Sequence, residues 1–134
     1  MSQFRKIARR NKERLRLIQQ EVFLRMASLV IERSPVYTGL FRNNWFVGIN
    51  APNTTTTDKV SKKGFGEKGG ARYNDAVQLS PDIELNDTLY FTNSLPYARR
   101  LEFGHSQKMA PHGMLRLTVG DMPEILREVA TEIR

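Results

Sequence analysis

Hydrophobic and polar positions fall into distinct rhythms along the chain, and each rhythm predicts an element. Over residues 2–33, Phe4, Ile7, Leu15, Ile18, Val22, Met26 and Leu29 recur at spacings near three and four, the stripe of a helix. The stretch has no Gly or Pro and is rich in Arg, Leu, Gln, Glu and Ala, all good helix formers. Its halves differ. Residues 5–16 are mostly charged, whereas residues 22–31 are apolar almost all round, so the second half is expected in the core and the first half outside it. Ser34-Pro35 ends this helix, because a residue before proline is pushed out of the α region, and Thr38-Gly39 makes a further turn. Residues 41–50 then read as a strand, with Trp45, Val47 and Ile49 alternating against Asn44, Phe46 and Gly48. A lone tryptophan there is expected in the core.

The second half of the chain is more heavily punctuated. Residues 71–79 predict a short helix with Ala71, Ala76, Val77 and Leu79 as buried positions, broken by Ser80-Pro81. Residues 83–85 and 88–92 read as strands around an Asn86-Asp87 turn, the pattern of a hairpin. In residues 95–116, Pro96 suits a first helical turn and Gly104 suits a helix end, with Tyr97, Ala98, Leu101 and Phe103 as the apolar side between them. Arg99, Arg100 and Glu102 are left for solvent or a partner. Past His112-Gly113 two rhythms overlap. Leu115, Leu117 and Val119 alternate like a strand, yet Leu115, Val119, Met122, Ile125 or Leu126, Val129 and Ile133 form a helical stripe. A helix over about 114–133, kinked near Pro123, is favoured. The alternative is a strand to Val119 and a helix from Asp121.

Residues 51–70 break every rhythm. Four consecutive threonines, four lysines and four glycines leave only Val60 and Phe65 as large apolar residues, too few to offset the cost of ordering, so a long mobile loop or extended hairpin is expected. Gly64, Gly66 and Gly69 match G-x-G-x-x-G by letter. A polar stretch precedes them where a dinucleotide site needs a buried strand, so the match carries no such meaning. Lys59, Lys62, Lys63 and Lys68 suit contact with something acidic, in a channel lining or a clasp on a neighbour, or else they are simply solvated.

Composition bounds the rest. A chain of 134 residues is expected to be one domain with a real core, but 40% hydrophobic content is lean and points to support from neighbours in an assembly. The absence of cysteine excludes disulfides and thiolate metal sites. No run of 18 apolar residues and no signal-peptide pattern is present, so no membrane is expected and synthesis and use in an aqueous cytoplasm, or in something assembled there, are. The net charge of +7 is uneven: residues 1–33 hold nine Lys/Arg against three Asp/Glu, while residues 71–95 and 121–134 are net acidic. DNA, RNA or an acidic protein surface would each satisfy this asymmetry, and Arg5, Lys6, Arg9 and Arg10 form either a frayed, solvated basic end or an arm that touches DNA or a neighbouring subunit. Catalytic chemistry is thin. His105 and His112 have only Glu102 nearby as an acid, a weak metal pattern, and no nucleophile elbow, H-E-x-x-H or paired acidic helix motif occurs. Glu102 and His105 are better read as tying their turn together. The chain is expected to be no enzyme and to need no cofactor.

Three segments, taken together, form a recognisable pattern. They are Ser34-Pro35-Val36-Tyr37-Thr38-Gly39-Leu40-Phe41-Arg42-Asn43-Asn44-Trp45, Asn93-Ser94-Leu95-Pro96-Tyr97-Ala98-Arg99-Arg100-Leu101-Glu102-Phe103-Gly104-His105-Ser106, and Ala110-Pro111-His112-Gly113-Met114-Leu115-Arg116 before a C-terminal helix. Their order and spacing over roughly residues 30–134 resemble the tail-completion or head–tail joining (neck) proteins of tailed bacteriophages, of the minor tail protein Z type. Phe41 departs mildly from the resemblance, which otherwise marks Pro35, Thr38, Gly39, Arg42, Trp45, Pro96, Tyr97, Ala98, Glu102, Gly104, His105, Pro111 and Gly113 as motif positions. The resemblance implies an α+β subunit: a long N-terminal helix, a small mostly antiparallel sheet, a short central helix and a C-terminal helix. It further implies a homo-oligomeric ring, expected to be a hexamer, at the tail–neck junction of a virion assembled in the bacterial cytoplasm. Partners would be the tail terminator or tail tube and head-completion or connector proteins. Double-stranded genomic DNA would pass through the lumen without being read. A small basic nucleic-acid-binding protein is the competing expectation, weakened by the lack of a helix-turn-helix, zinc or RNA-recognition signature.

Overall fold

The computed structural model describes residues 2–34, 41–58, 71–96, 98 and 115–133. These form an α+β arrangement in the order α1 (Gln3–Arg33), β1 (Trp45–Ile49), α2 (Ala71–Leu79), β2 (Leu89–Asn93) and α3 (Leu115–Glu132). Short 3-10 turns at Arg42–Asn44 and Ser80–Asp82 precede β1 and follow α2.

Helix α1 spans 31 residues and is the spine of the molecule. Ser2 caps it, its Oγ accepting from the Arg5 N–H at 3.2 Å. Helix α3 lies antiparallel to it. Near the start of α1, Arg14 donates to the carbonyls of Ala130 and Ile133, both at 2.9 Å. Near its end, Arg33 donates to Thr118 Oγ1 at 3.1 Å and pairs with Asp121. Between them Ile18 and Val22 pack on Ile125 and Val129. Helix α3 therefore covers α1 only from about Arg14 onward. Residues 3–13 project past its end as an arm about 16 Å long at 1.5 Å per residue.

The sheet has two antiparallel strands, Trp45 opposite Asn93 and Ile49 opposite Leu89. Its inner face and the last turns of α1 make a second apolar cluster of Val30, Ile31, Phe41 and Trp45, joined by Phe91, Leu95 and Ala98. Trp45 is 2% exposed and stacks on its diagonal cross-strand neighbour Phe91, ring centroids 5.2 Å apart. Among the described residues the apolar core is thus divided into two small clusters.

Two sequence expectations need correction, and one open alternative is decided. The strand over 41–50 begins only at Trp45, because residues 42–44 turn back to serve the end of α1. The 83–85/88–92 hairpin does not form. The turn at Asn86-Asp87 exists, closed by Asp87 N–H to Glu84 O at 3.0 Å, but the Ile83 carbonyl is turned to Arg16 and Gln20 of α1 and its N–H to Ser80. Strand β2 pairs instead with β1 from far upstream. At the C-terminus helix wins over strand, since α3 runs from Leu115 through Pro123 without a break.

After β1 the chain folds back sharply. Asn50 takes a positive φ of 64°, which Asn tolerates better than most residues, and binds Thr88 N–H and Asp87 Oδ1, both at 2.9 Å. A Cβ on Gly48 would sit 2.1 Å from the Ala51 carbonyl oxygen, so this strand position needs glycine. Residues 51–58 form neither helix nor strand, and Asn44 holds Thr57 through two hydrogen bonds of 2.9 and 3.0 Å.

Candidate functional site

The residues singled out from sequence separate into a free arm and a buried anchor. Arg5, Lys6, Arg9 and Arg10 all lie on the exposed arm, and among the described residues none of their side chains pairs with a carboxylate. Arg5–Arg9 and Lys6–Arg10 are like-charged i,i+4 neighbours, and the first turn of α1 carries no acid to answer the helix dipole. The cluster is therefore electrostatically unfavourable on its own and is relieved by an anionic partner. The arginines of α1 from Arg14 onward are spent internally. Arg14, Arg25 and Arg33 lie along α3, where Arg25 pairs with Glu132 and, on its own helix, with Glu21. Those two carboxylates raise the Arg25 pKa, the Glu132 hydrogen bond most. Arg16 is closed off by a 2.6 Å pair with Glu13, whose carboxyl is held below its usual range by that hydrogen bond.

Arg42 and Trp45 form the anchor. The last carbonyls of an α-helix have no intrahelical donors. Here Ser34 Oγ donates to Val30 O at 2.7 Å and Ser34 N–H to Ile31 O at 3.1 Å. Arg42 donates from Nη2 to Glu32 O at 2.6 Å and from Nε to Ser34 O at 2.9 Å. The Trp45 indole N–H donates to Ser34 Oγ at 2.9 Å, so the hydroxyl both gives and receives. Asn93 closes the set from β2, donating to Phe41 O at 2.9 Å. Burial pushes the Arg42 pKa down, opposed by Glu32, yet a guanidinium stays charged at any working pH. These residues join α1 to the sheet and face the protein, not a ligand.

Pro96 is exposed at the end of β2, and Ala98 is half-buried against the Trp45 cluster. Pro35, Thr38, Gly39, Tyr97, Glu102, Gly104, His105, Pro111 and Gly113 lie outside the described residues, as do Lys59, Lys62, Lys63 and His112. Sequence reasoning missed Ser34, Asn44, Asn50 and Asn93, each of which ties two segments together. The signal was faint: short polar side chains at the ends of apolar runs, where stray backbone groups collect. A further feature it missed is a groove between α1, β2 and α3, a cavity of about 520 Å³ with an almost wholly apolar lining.

No group of three or more potential metal ligands occurs among the described residues, and none of their helices is long and apolar enough to cross a membrane. What is defined is an α+β fold with a protruding basic helix. No protein-family model, curated protein or solved structure matches the chain.

Proposed function

We propose that this chain is a structural virion protein of a tailed phage, forming a ring at the head–tail junction. The ring completes the tail, lets a filled head dock and leaves a lumen for DNA. The observation that carries the reading is the arm: four cations on a helix that leaves the core and, among the described residues, pair with no carboxylate. Such a surface screens phosphate without reading bases, as a DNA passage requires. The anchor supports the same reading. Arg42 and Trp45, two motif positions of the resemblance, act on shape alone by fixing the angle between α1 and the sheet. A subunit of this kind works by geometry and needs no catalytic group.

The test is electron microscopy of particles made when the gene is disabled in its parent genome. Filled heads beside separate, otherwise normal tails are expected, with joining restored by purified protein. Intact joined virions would overturn the reading. The same arm also favours a second reading, a small basic nucleic-acid-binding protein. That reading requires tight duplex binding by the isolated monomer with a steep salt slope, whereas a ring subunit binds DNA weakly until assembled.

A further inference from the structure

The arm has a second face. Phe4 is 79% exposed and Ile7 48%, yet Phe4 stands five full turns before buried Val22 and Ile7 three turns before buried Ile18, on the same side of the helix. The apolar stripe that packs α1 into the core thus continues onto a segment with no core beside it, and Arg9 lies on the opposite side. The groove between α1, β2 and α3 is the complementary feature. Val22, Met26, Leu89, Phe91, Met122 and Leu126 line it, and Met122 and Leu126 are more than two-fifths exposed. Leu85 lines it from a loop that carries Glu84 and Asp87 and follows Asp82, the last residue of the second 3-10 turn. Hydrogen bonds from Asn50 and the Glu84 N–H keep the Asp87 carboxyl below its usual range and so anionic.

We infer that the apolar face of this arm, Phe4 and Ile7, docks in the groove of a second copy of the chain. Lys6 and Arg10, which lie together to one side of Ile7, then meet the acidic residues Asp82, Glu84 and Asp87. Apolar surface covers apolar surface and charge meets opposite charge, while Arg9 and its neighbours stay outward. The arm cannot reach the groove of its own molecule. Phe4 lies about 27 Å along a continuous helix from the level of Val22, where Leu126 sits. Arm and groove are different surfaces, so the contact is heterologous and propagates head to tail until it closes. It thus deepens the self-assembling part of the proposed function and rests on that part.

The experiment exploits the absence of cysteine. Phe4→Cys and Leu126→Cys are made in separate full-length chains, mixed and oxidised, with Phe4→Cys plus Gly120→Cys as the control pair on the far side of α3. A disulfide requires Cα atoms within about 7 Å. The 4–126 link is expected between chains, in yields that fall with salt, and the control link is not. No 4–126 link, or only 4–4 links, overturns the proposal. In parallel, Phe4→Ser with Ile7→Ser is expected to weaken self-association about ten- to a hundred-fold in sedimentation velocity. Its melting temperature at high dilution should not change, because both side chains are exposed in the single chain. Unchanged association overturns the proposal, including the case in which the variant instead loses binding to anionic phospholipid vesicles. Rings without the 4–126 link refute arm docking alone. Linked pairs that never close into rings support arm docking and refute the ring alone.

Discussion

Arg42→Ala separates a structural motif from a partner-binding one. Removing the guanidinium strips donors from the Glu32 and Ser34 carbonyls, bonds of 2.6 and 2.9 Å at the end of a 31-residue helix. Hydrogen bonds to a charged donor contribute about 1.5–3 kcal/mol each when buried. Water can replace the donor at the exposed Glu32 carbonyl, so that bond is taken at about 1 kcal/mol and the partly buried Ser34 bond at about 1.5. Loss of a cation from the helix C-terminus adds a few tenths. The expected destabilisation is therefore ~2–3 kcal/mol, about 10 °C in melting temperature for a domain of this size. Arg42→Lys keeps the charge but offers a point donor in place of a fork, and should recover about half. The assay is thermal unfolding followed by helix circular dichroism and by the fluorescence of Trp45, which sits beside the lost contact. Dilute protein keeps self-association from lifting the midpoint. If Arg42→Ala melts within about 2 °C of the parent yet no longer assembles, the guanidinium serves a partner and the anchoring argument is wrong.

Ser34→Ala should cost ~2–3 kcal/mol in a urea titration, since it leaves the buried Trp45 indole N–H without its acceptor and Val30 O without its hydroxyl donor. Combined with Trp45→Phe it should cost less than the sum, because both changes remove one shared bond. The two described glycines outside turns should respond oppositely to alanine. Gly48→Ala drives a Cβ into the Ala51 carbonyl and should destabilise by ~2 kcal/mol or more, while Gly120→Ala, with open space around it, should stabilise α3 by ~0.5–1 kcal/mol; matching melting shifts would contradict both. Acid should loosen the Asn50–Asp87 junction. A carboxyl whose folded pKa is depressed stabilises above its unfolded value and loses that contribution as pH falls through the folded one, so amide exchange near Thr88 should quicken below about pH 4. Asp87→Asn should remove that part of the acid dependence, and an unchanged profile would place it elsewhere.

How much was legible depended on how far each interaction reaches along the chain. Helices α1, α2 and α3 were readable because their apolar stripes are local, and even the core-side half of α1 followed from residues 22–31. Strand pairing was not. Residues 83–92 carry hairpin signals, but the partner of β2 is β1, dozens of residues upstream, and α1 side chains take the Ile83 carbonyl. Arg42 and Trp45 were legible as motif positions and illegible in role, since their main acceptors, two backbone carbonyls and a serine hydroxyl, leave no mark on side-chain periodicity. Phe4 and Ile7 were legible as part of a stripe, but where α3 stops was not, and that decides whether a stripe is core or surface.

The division of charge on α1 follows from the same geometry. Arg14, Arg25 and Arg33 sit where the α3 carbonyls and carboxylates are, and each is fixed by them. Beyond the end of α3 the one described carboxylate, Glu13, is taken by Arg16, and Arg5, Lys6, Arg9 and Arg10 crowd a helix N-terminus whose dipole already disfavours cations. A chain under selection for stability alone would place acids there. The helix is instead held by one serine cap, with like charges at i,i+4 each costing a few tenths of a kcal/mol. That cost is recovered only when something anionic lies alongside. Phosphate or an acidic loop of a neighbour would supply it. Added salt should therefore raise the helix content of the free arm while weakening its charged contacts in an assembly, two opposite responses from one set of charges.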